Sequence, residues 1–195
     1  LDLSMLASLR SVVQQATDAF EDYNYARALE LAETFFWNFT DDYVELVKER
    51  AYGGQGEEAA QSAKAALSIA LFVQLRLFAP FLPFTTEEVW SWVHEHSVHR
   101  ASWPSIDELA MSADGDPQVL ERTGEALSGI RRVKSDAKAS MKAAVAEASI
   151  EAAPGAIELL EQARSDLAAA GSIAELVLVP GASDAPITVR AELAL

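Results

Sequence analysis

The chain has 195 residues, half of them hydrophobic, enough to close a core for one large domain or two small ones. Thirty acidic residues against 15 basic ones give a net charge of −15, so any nucleic-acid role requires a local basic patch that reverses the overall field. Cysteine is absent, which excludes disulfides, thiol catalysis and cysteine-ligated zinc.

Leu6, Leu9, Val13, Ala16 and Phe20 recur at helical spacing and predict a first amphipathic helix. Asp22-Tyr23-Asn24 reads as a turn and N-cap. A second helix follows with Ala28, Leu29, Ala32, Phe35, Phe36 and Phe39 inward. A bend or break is expected near Asn38 to Thr40. Beyond it, Tyr43, Val44, Leu46 and Val47 continue to a stop at Gly53-Gly54.

The third helix carries Glu57 and Glu58 in its first turn, where carboxylates suit the positive end of the dipole. It is apolar nearly all round to Phe78, as a central bundle helix would be. Its most apolar stretch, Ala65 to Ala79, is interrupted by Ser68, Gln74 and Arg76 and falls short of the roughly 20 residues a bilayer needs, so no membrane span is expected. Pro80 ends this helix. Thr85-Thr86-Glu87-Glu88 predicts a capping box opening the next, with Val89, Trp90 and Val93 apolar.

Val98 to Trp103 is expected to be extended. Asp116-Pro117 then marks an N-cap and N1. A fifth helix is predicted to about Ala139, with Leu120, Leu127, Ile130, Val133 and Ala137 inward. Ala144 to Ala152 predicts a strand and Ala156 to Ala170 a helix. Ile173 to Val179 and Pro186 to Leu193 predict two more strands. The fold class expected is mainly α: an antiparallel helical bundle over residues 1–112, then a basic helix and small α/β subdomain over 113–195.

On a continuous fifth helix, Arg131, Lys134, Lys138 and Lys142 share one face, with Arg132 beside them and Asp136 the only acid in the window. Such a stripe would hold phosphates; the plainer reading is a solvated helix face. Lys48 and Arg50 could do the same or simply stabilise a helix C-terminus. Trp37, Phe39, Tyr43, Trp90, Trp92 and Trp103 are base-stacking candidates by type, most of them better read as core. Asp41, Asp42 and Glu45 form an acidic cluster, explained most simply by an ion pair between Glu45 and Lys48. His94, His96 and His99 trail off a helix without the three or four fixed ligands a metal site needs, so no metal site is expected.

Three stretches carry a resemblance. Trp37-Asn38-Phe39-Thr40-Asp41-Asp42-Tyr43-Val44-Glu45-Leu46-Val47-Lys48 is similar to the Trp-x-x-x-Asp-x-Tyr-x-Glu-x-x-Lys stretch of class I aminoacyl-tRNA synthetases for branched aliphatic amino acids. Leu75 to Trp90, with Pro80, Pro83, Thr86, Glu87, Glu88 and Trp90 in order, resembles the signature that closes their anticodon bundle. Ser97 to Pro104 resembles the segment that follows in the valyl branch.

The resemblance spans roughly residues 1 to 104. It implies a docking module for the anticodon stem-loop of tRNA(Val), in a cytoplasmic enzyme that activates valine with ATP and Mg2+ and charges the tRNA. The family's two ATP-binding signatures, its editing domain and the first helix of its bundle are not found here. The implication is therefore a fragment with no catalytic residue and no cofactor of its own, working beside the remaining domains of its parent and itself monomeric. The start at Leu1 fits the same expectation of a piece. The equivalent isoleucyl domain and a helical protein-interaction module that never meets RNA stay open as alternatives.

Overall fold

A computed structural model describes residues 1–194 of the chain. It divides into two compact units, the first formed by Asp2–Asp41 with Gln61–Asp116, the second by Asp42–Ala60 with the chain from Pro117 onward and Leu1. The architecture is mainly α, with a small three-stranded sheet in the second unit.

In the first unit, α1 (Asp2–Glu21) and α2 (Tyr25–Asn38) form a hairpin. Its turn holds Tyr23 at a φ of 58°, and the Asn24 side chain caps α2 by accepting from the Arg27 N–H. The apolar stripe read from the sequence is buried as expected at Leu6, Leu9, Val13 and Ala16, and Ala28, Ala32 and Phe35 are buried on α2. The helix α4 (Glu57–Phe78) contributes Ala63, Ala66, Ala70, Val73 and Leu77. Small alanines let helices approach closely, which suits a core with few large aliphatic side chains. Phe20 packs edge-on to Trp103, and the Trp103 indole N–H donates to the Thr17 hydroxyl at 2.8 Å. A fork between Arg76 and Glu108, at 3.0 and 2.6 Å, holds the Glu108 carboxyl below the usual carboxylate range.

Several local expectations are corrected. The bend or break expected near Asn38 to Thr40 takes the form of a π-turn, Phe39–Tyr43, where α2 ends and from which the path resumes as α3 (Val44–Ala51). The capping box at Thr85 does not form, because α5 (Pro83–Ser91) already starts at Pro83, whose missing N–H and fixed φ suit N1. Thr86 turns its hydroxyl to the Leu82 carbonyl, while Glu87 accepts from the Ser97 hydroxyl and the Val98 N–H. The capping box that does form is Ser105 with Glu108, at the 3-10 segment Ile106–Ser112. Val98–Arg100 is a 3-10 turn, where an extended run was expected. The helix α4 is not enclosed all round: Gln61, Lys64 and Ser68 are exposed and Leu71 is 42% exposed.

The second unit is built on β1 (Val145–Ala152), the central strand of an order β2-β1-β3. Strand β2 (Ile173–Pro180) pairs with it in parallel and β3 (Thr188–Leu193) antiparallel. Val145, Ala148, Ile150 and Ala152 are buried, and a register shift between Val145 and Glu147 interrupts the alternation. The parallel pair requires a crossover, supplied by α7 (Pro154–Gln162) and α8 (Arg164–Gly171). The sequence predicts one helix here; the structure breaks it at Ala163, with φ −118° and ψ 14°. The helix α6 (Pro117–Asp136) lies so close to β3 that a Cβ at Gly129 would sit 2.5 Å from Val189. The helix α3 joins this unit through Leu46 and Val47, both fully buried, and through Arg50, which meets Asp166 of α8.

Candidate nucleic-acid interface

The predicted basic stripe rested on a helix running to Ala139 and beyond. The helix α6 stops at Asp136. Lys138 adopts the left-handed conformation at φ 52°, its N–H returns to the Ser135 carbonyl, and the Ala139 N–H reaches the Lys134 carbonyl at 2.9 Å. These are the two bonds of a Schellman stop. A lysine there carries a Cβ penalty that glycine lacks, so Lys138→Gly is expected to stabilise the second unit by about 0.5–1 kcal/mol. Slower exchange of the β1 amides would show it; unchanged or faster exchange would refute it.

The four-residue spacings past Lys134 therefore do not define one helix face, and each cation has its own setting. Lys134 is the largest correction. Its side chain is only 2% exposed, and its ammonium donates to the carbonyls of Met141 at 3.0 Å and Gly171 at 2.8 Å. Burial holds this ammonium below the ordinary lysine pKa. Arg50 is also buried rather than presented: its Nε donates to Asp166 Oδ1 at 3.0 Å, where Gln55 also donates. Arg131 is half-buried and pairs with Asp42 at 3.2 Å. Lys48 is exposed and pairs with Glu45 at 3.1 Å, as the sequence suggests. Arg132, Lys138 and Lys142 are exposed.

The structure gathers part of this set in another way. Lys48 from α3, Arg131 and Lys134 from α6, and Lys142 from the loop before β1 line one cavity of about 260 Å3. Among the described residues, Glu45 is the only carboxylate on its wall. Arg132, Lys138 and Arg50 lie outside that lining. The pairing of Arg131 with Asp42, which joins residues 89 apart in sequence, had no local signal; nor did the clamp of Lys134 on Gly171.

Among the aromatic candidates, Tyr43 is fully buried, Trp90 and Phe39 are nearly so, and Trp103 is held by Thr17. Trp37 and Trp92 are exposed, each directing its indole N–H to a carboxylate one turn back, Glu33 and Glu88. Phe84, 89% exposed and flanked by exposed Leu82, Pro83 and Thr85, was not among the aromatic candidates.

The family described as the anticodon-binding domain of tRNA ligases matches residues 2–170. The chain belongs to that family. Curated relatives carry the name valine–tRNA ligase: the protein of Thermobifida fusca is 58% identical over 151 residues, that of Salinispora arenicola 53% over 166, and that of Bifidobacterium longum 44% over 168. The alignments cover 77–81% of this chain but 17–19% of those proteins, so the chain spans less than a fifth of their length.

Every cationic candidate of this anticodon-binding domain falls inside the matched span. Its histidines serve packing: His94 stacks on Trp90 with ring centroids 4.0 Å apart, and the His99 ring nitrogen lies 3.1 Å from the Pro83 carbonyl. Among the described residues no group of three His, Asp or Glu side chains is arranged to hold a metal ion, and no helix is long and apolar enough to cross a membrane.

Proposed function

We propose that the chain is the tRNA-docking portion of a valine–tRNA ligase, gripping the anticodon stem-loop of tRNA(Val). The parent enzyme activates valine with ATP and Mg2+ in the cytoplasm and transfers it to the tRNA on its remaining domains. The contribution of this portion is positional: holding one end of the tRNA orients the acceptor end, which lowers the entropic part of the barrier without any group here touching the reacting atoms. The observation that carries the reading is the family membership over residues 2–170. The valyl assignment is supported by relatives at 44–58% identity. The net charge of −15 favours instead a helical module that avoids RNA. The cationic cavity, with its reversed local sign, answers that objection.

Lys48, Arg131, Arg132, Lys138 and Lys142 are the proposed backbone contacts, each pairing with phosphate rather than reading a base. Arg50 and Lys134 act from beneath as supports, since neither reaches the surface. Fluorescence titration with a valine tRNA transcript at two salt concentrations tests this. Five phosphate contacts predict a log–log salt slope of roughly −4. A transcript with an altered anticodon should bind more weakly. Absence of binding at low salt would overturn the docking role.

A further inference from the structure

The cavity between α3, α6 and the loop 137–144 stands out against the rest of the molecule. Acids outnumber bases by two to one over the chain, yet four of its 15 lysines and arginines meet in this hollow beside a single carboxylate. Such clustering is costly unless the charges are compensated, and protein groups compensate only some of them. Lys134 is spent on two carbonyls, and Arg131 pairs with Asp42. The pair between Lys48 and Glu45 is an exposed i,i+3 bridge, weak and easily released. The Lys142 ammonium has no acceptor among the described residues.

The hollow is also pre-organised. By reaching Met141 on one side and Gly171 on the other, Lys134 ties the loop that carries Lys142 to the end of α8. The helix end there would repel an anion through its free carbonyls. Three of the last four carbonyls already accept hydrogen bonds: Gly171 from Lys134, and Ala168 and Ala169 from the Ser172 N–H. A space of about 260 Å3 lies below the roughly 300–1,000 Å3 of drug-sized pockets.

We propose that this hollow is an oxyanion site that seats a single phosphate group, with Lys142 and Lys48 closing on its oxygens, the Arg131 guanidinium on its flank and Lys134 as its charged floor. Assigning the phosphate to a tRNA backbone rests on the function proposed above; the site itself does not.

The test is a titration of the 15N-labelled chain with inorganic phosphate, ionic strength held constant with chloride. Saturable amide shifts at Met141–Ala143 and Gly171–Ser172 are expected, with affinity on the order of millimolar. Lys142→Ala should weaken them about tenfold and Lys142→Arg should restore them, since the loss is one charge-assisted contact. Both are surface substitutions that leave the Lys134 clamp in place. Shifts that never saturate, or that persist unchanged in Lys142→Ala, would overturn the site. A tRNA arm then identifies the source. If phosphate competes with the valine tRNA transcript and Lys142→Ala weakens tRNA binding, the occupant is a backbone phosphodiester. If phosphate saturates the site while tRNA binding ignores both phosphate and Lys142→Ala, the site stands as one for free phosphate. Saturation by phosphate with no tRNA binding at all would sink the docking function and leave the site.

Discussion

Replacing Asp166 by alanine is expected to destabilise the second unit by about 3–5 kcal/mol. The carboxylate is 5% exposed and its partner Arg50 8%, joined at 3.0 Å, so removing the acid takes the counter-charge from a largely buried guanidinium. The loss also unties α3 from α8, 116 residues away in sequence. Tryptophan fluorescence is the wrong probe, because all four tryptophans, Trp37, Trp90, Trp92 and Trp103, belong to the first unit. Native-state hydrogen exchange of the β1 amides reports the second unit directly and should accelerate roughly a hundred- to several-thousandfold. The double variant Arg50→Met/Asp166→Leu removes both charges and should recover to within about 1 kcal/mol of the parent. A single variant that exchanges like the parent would refute the idea that this pair holds the unit together.

Lys134→Met is expected to cost about 2 kcal/mol near neutral pH. The stem is replaced, but the Met141 and Gly171 carbonyls lose their donor, and that loss outweighs the relief of removing a buried charge. Its pH dependence has a definite sign. Burial lowers the pKa of Lys134 in the folded chain, so the unfolded chain holds the proton to higher pH. Between the two values unfolding takes up a proton, and stability rises with pH across that window; below the lowered value the full burial penalty is present. The gap in urea midpoint between parent and Lys134→Met should therefore widen as pH climbs toward the ordinary lysine value. A gap that narrows over that range would contradict the assignment.

These two sites mark where the sequence stopped being legible. Helices with one clear apolar stripe, such as α1, and strands with alternating burial were readable because their periodicity records which side meets the core. The stop of α6 was not, because a lysine rather than a glycine adopts the left-handed turn at position 138. Once that stop was missed, cations at helical spacing looked like a stripe. Spacing cannot tell a lysine facing water from one such as Lys134, which faces two carbonyls that arrive from Met141 and from Gly171. The start of α5 was misplaced by three residues, from an N-cap at Leu82 to one at Thr85, because Thr85 and Glu88 imitate a cap that Pro83 had already made unnecessary. The family, by contrast, was visible from the prolines, Thr86, Glu87, Glu88 and Trp90, whose order survives independently of any geometry.

The discontinuity of the second unit has a consequence for biosynthesis. Asp42–Ala60 is translated before the groups it packs with, Asp166 above all, which are specified about a hundred residues later. At roughly 5–20 residues per second, Leu46, Val47 and the Arg50 charge wait some 5–20 s on the ribosome before their partners exist. The first unit has its whole sequence by Asp116 and can close sooner. A nascent chain stalled between those points should expose α3 to proteases and chaperones, whereas one stalled after α8 has emerged should shield it.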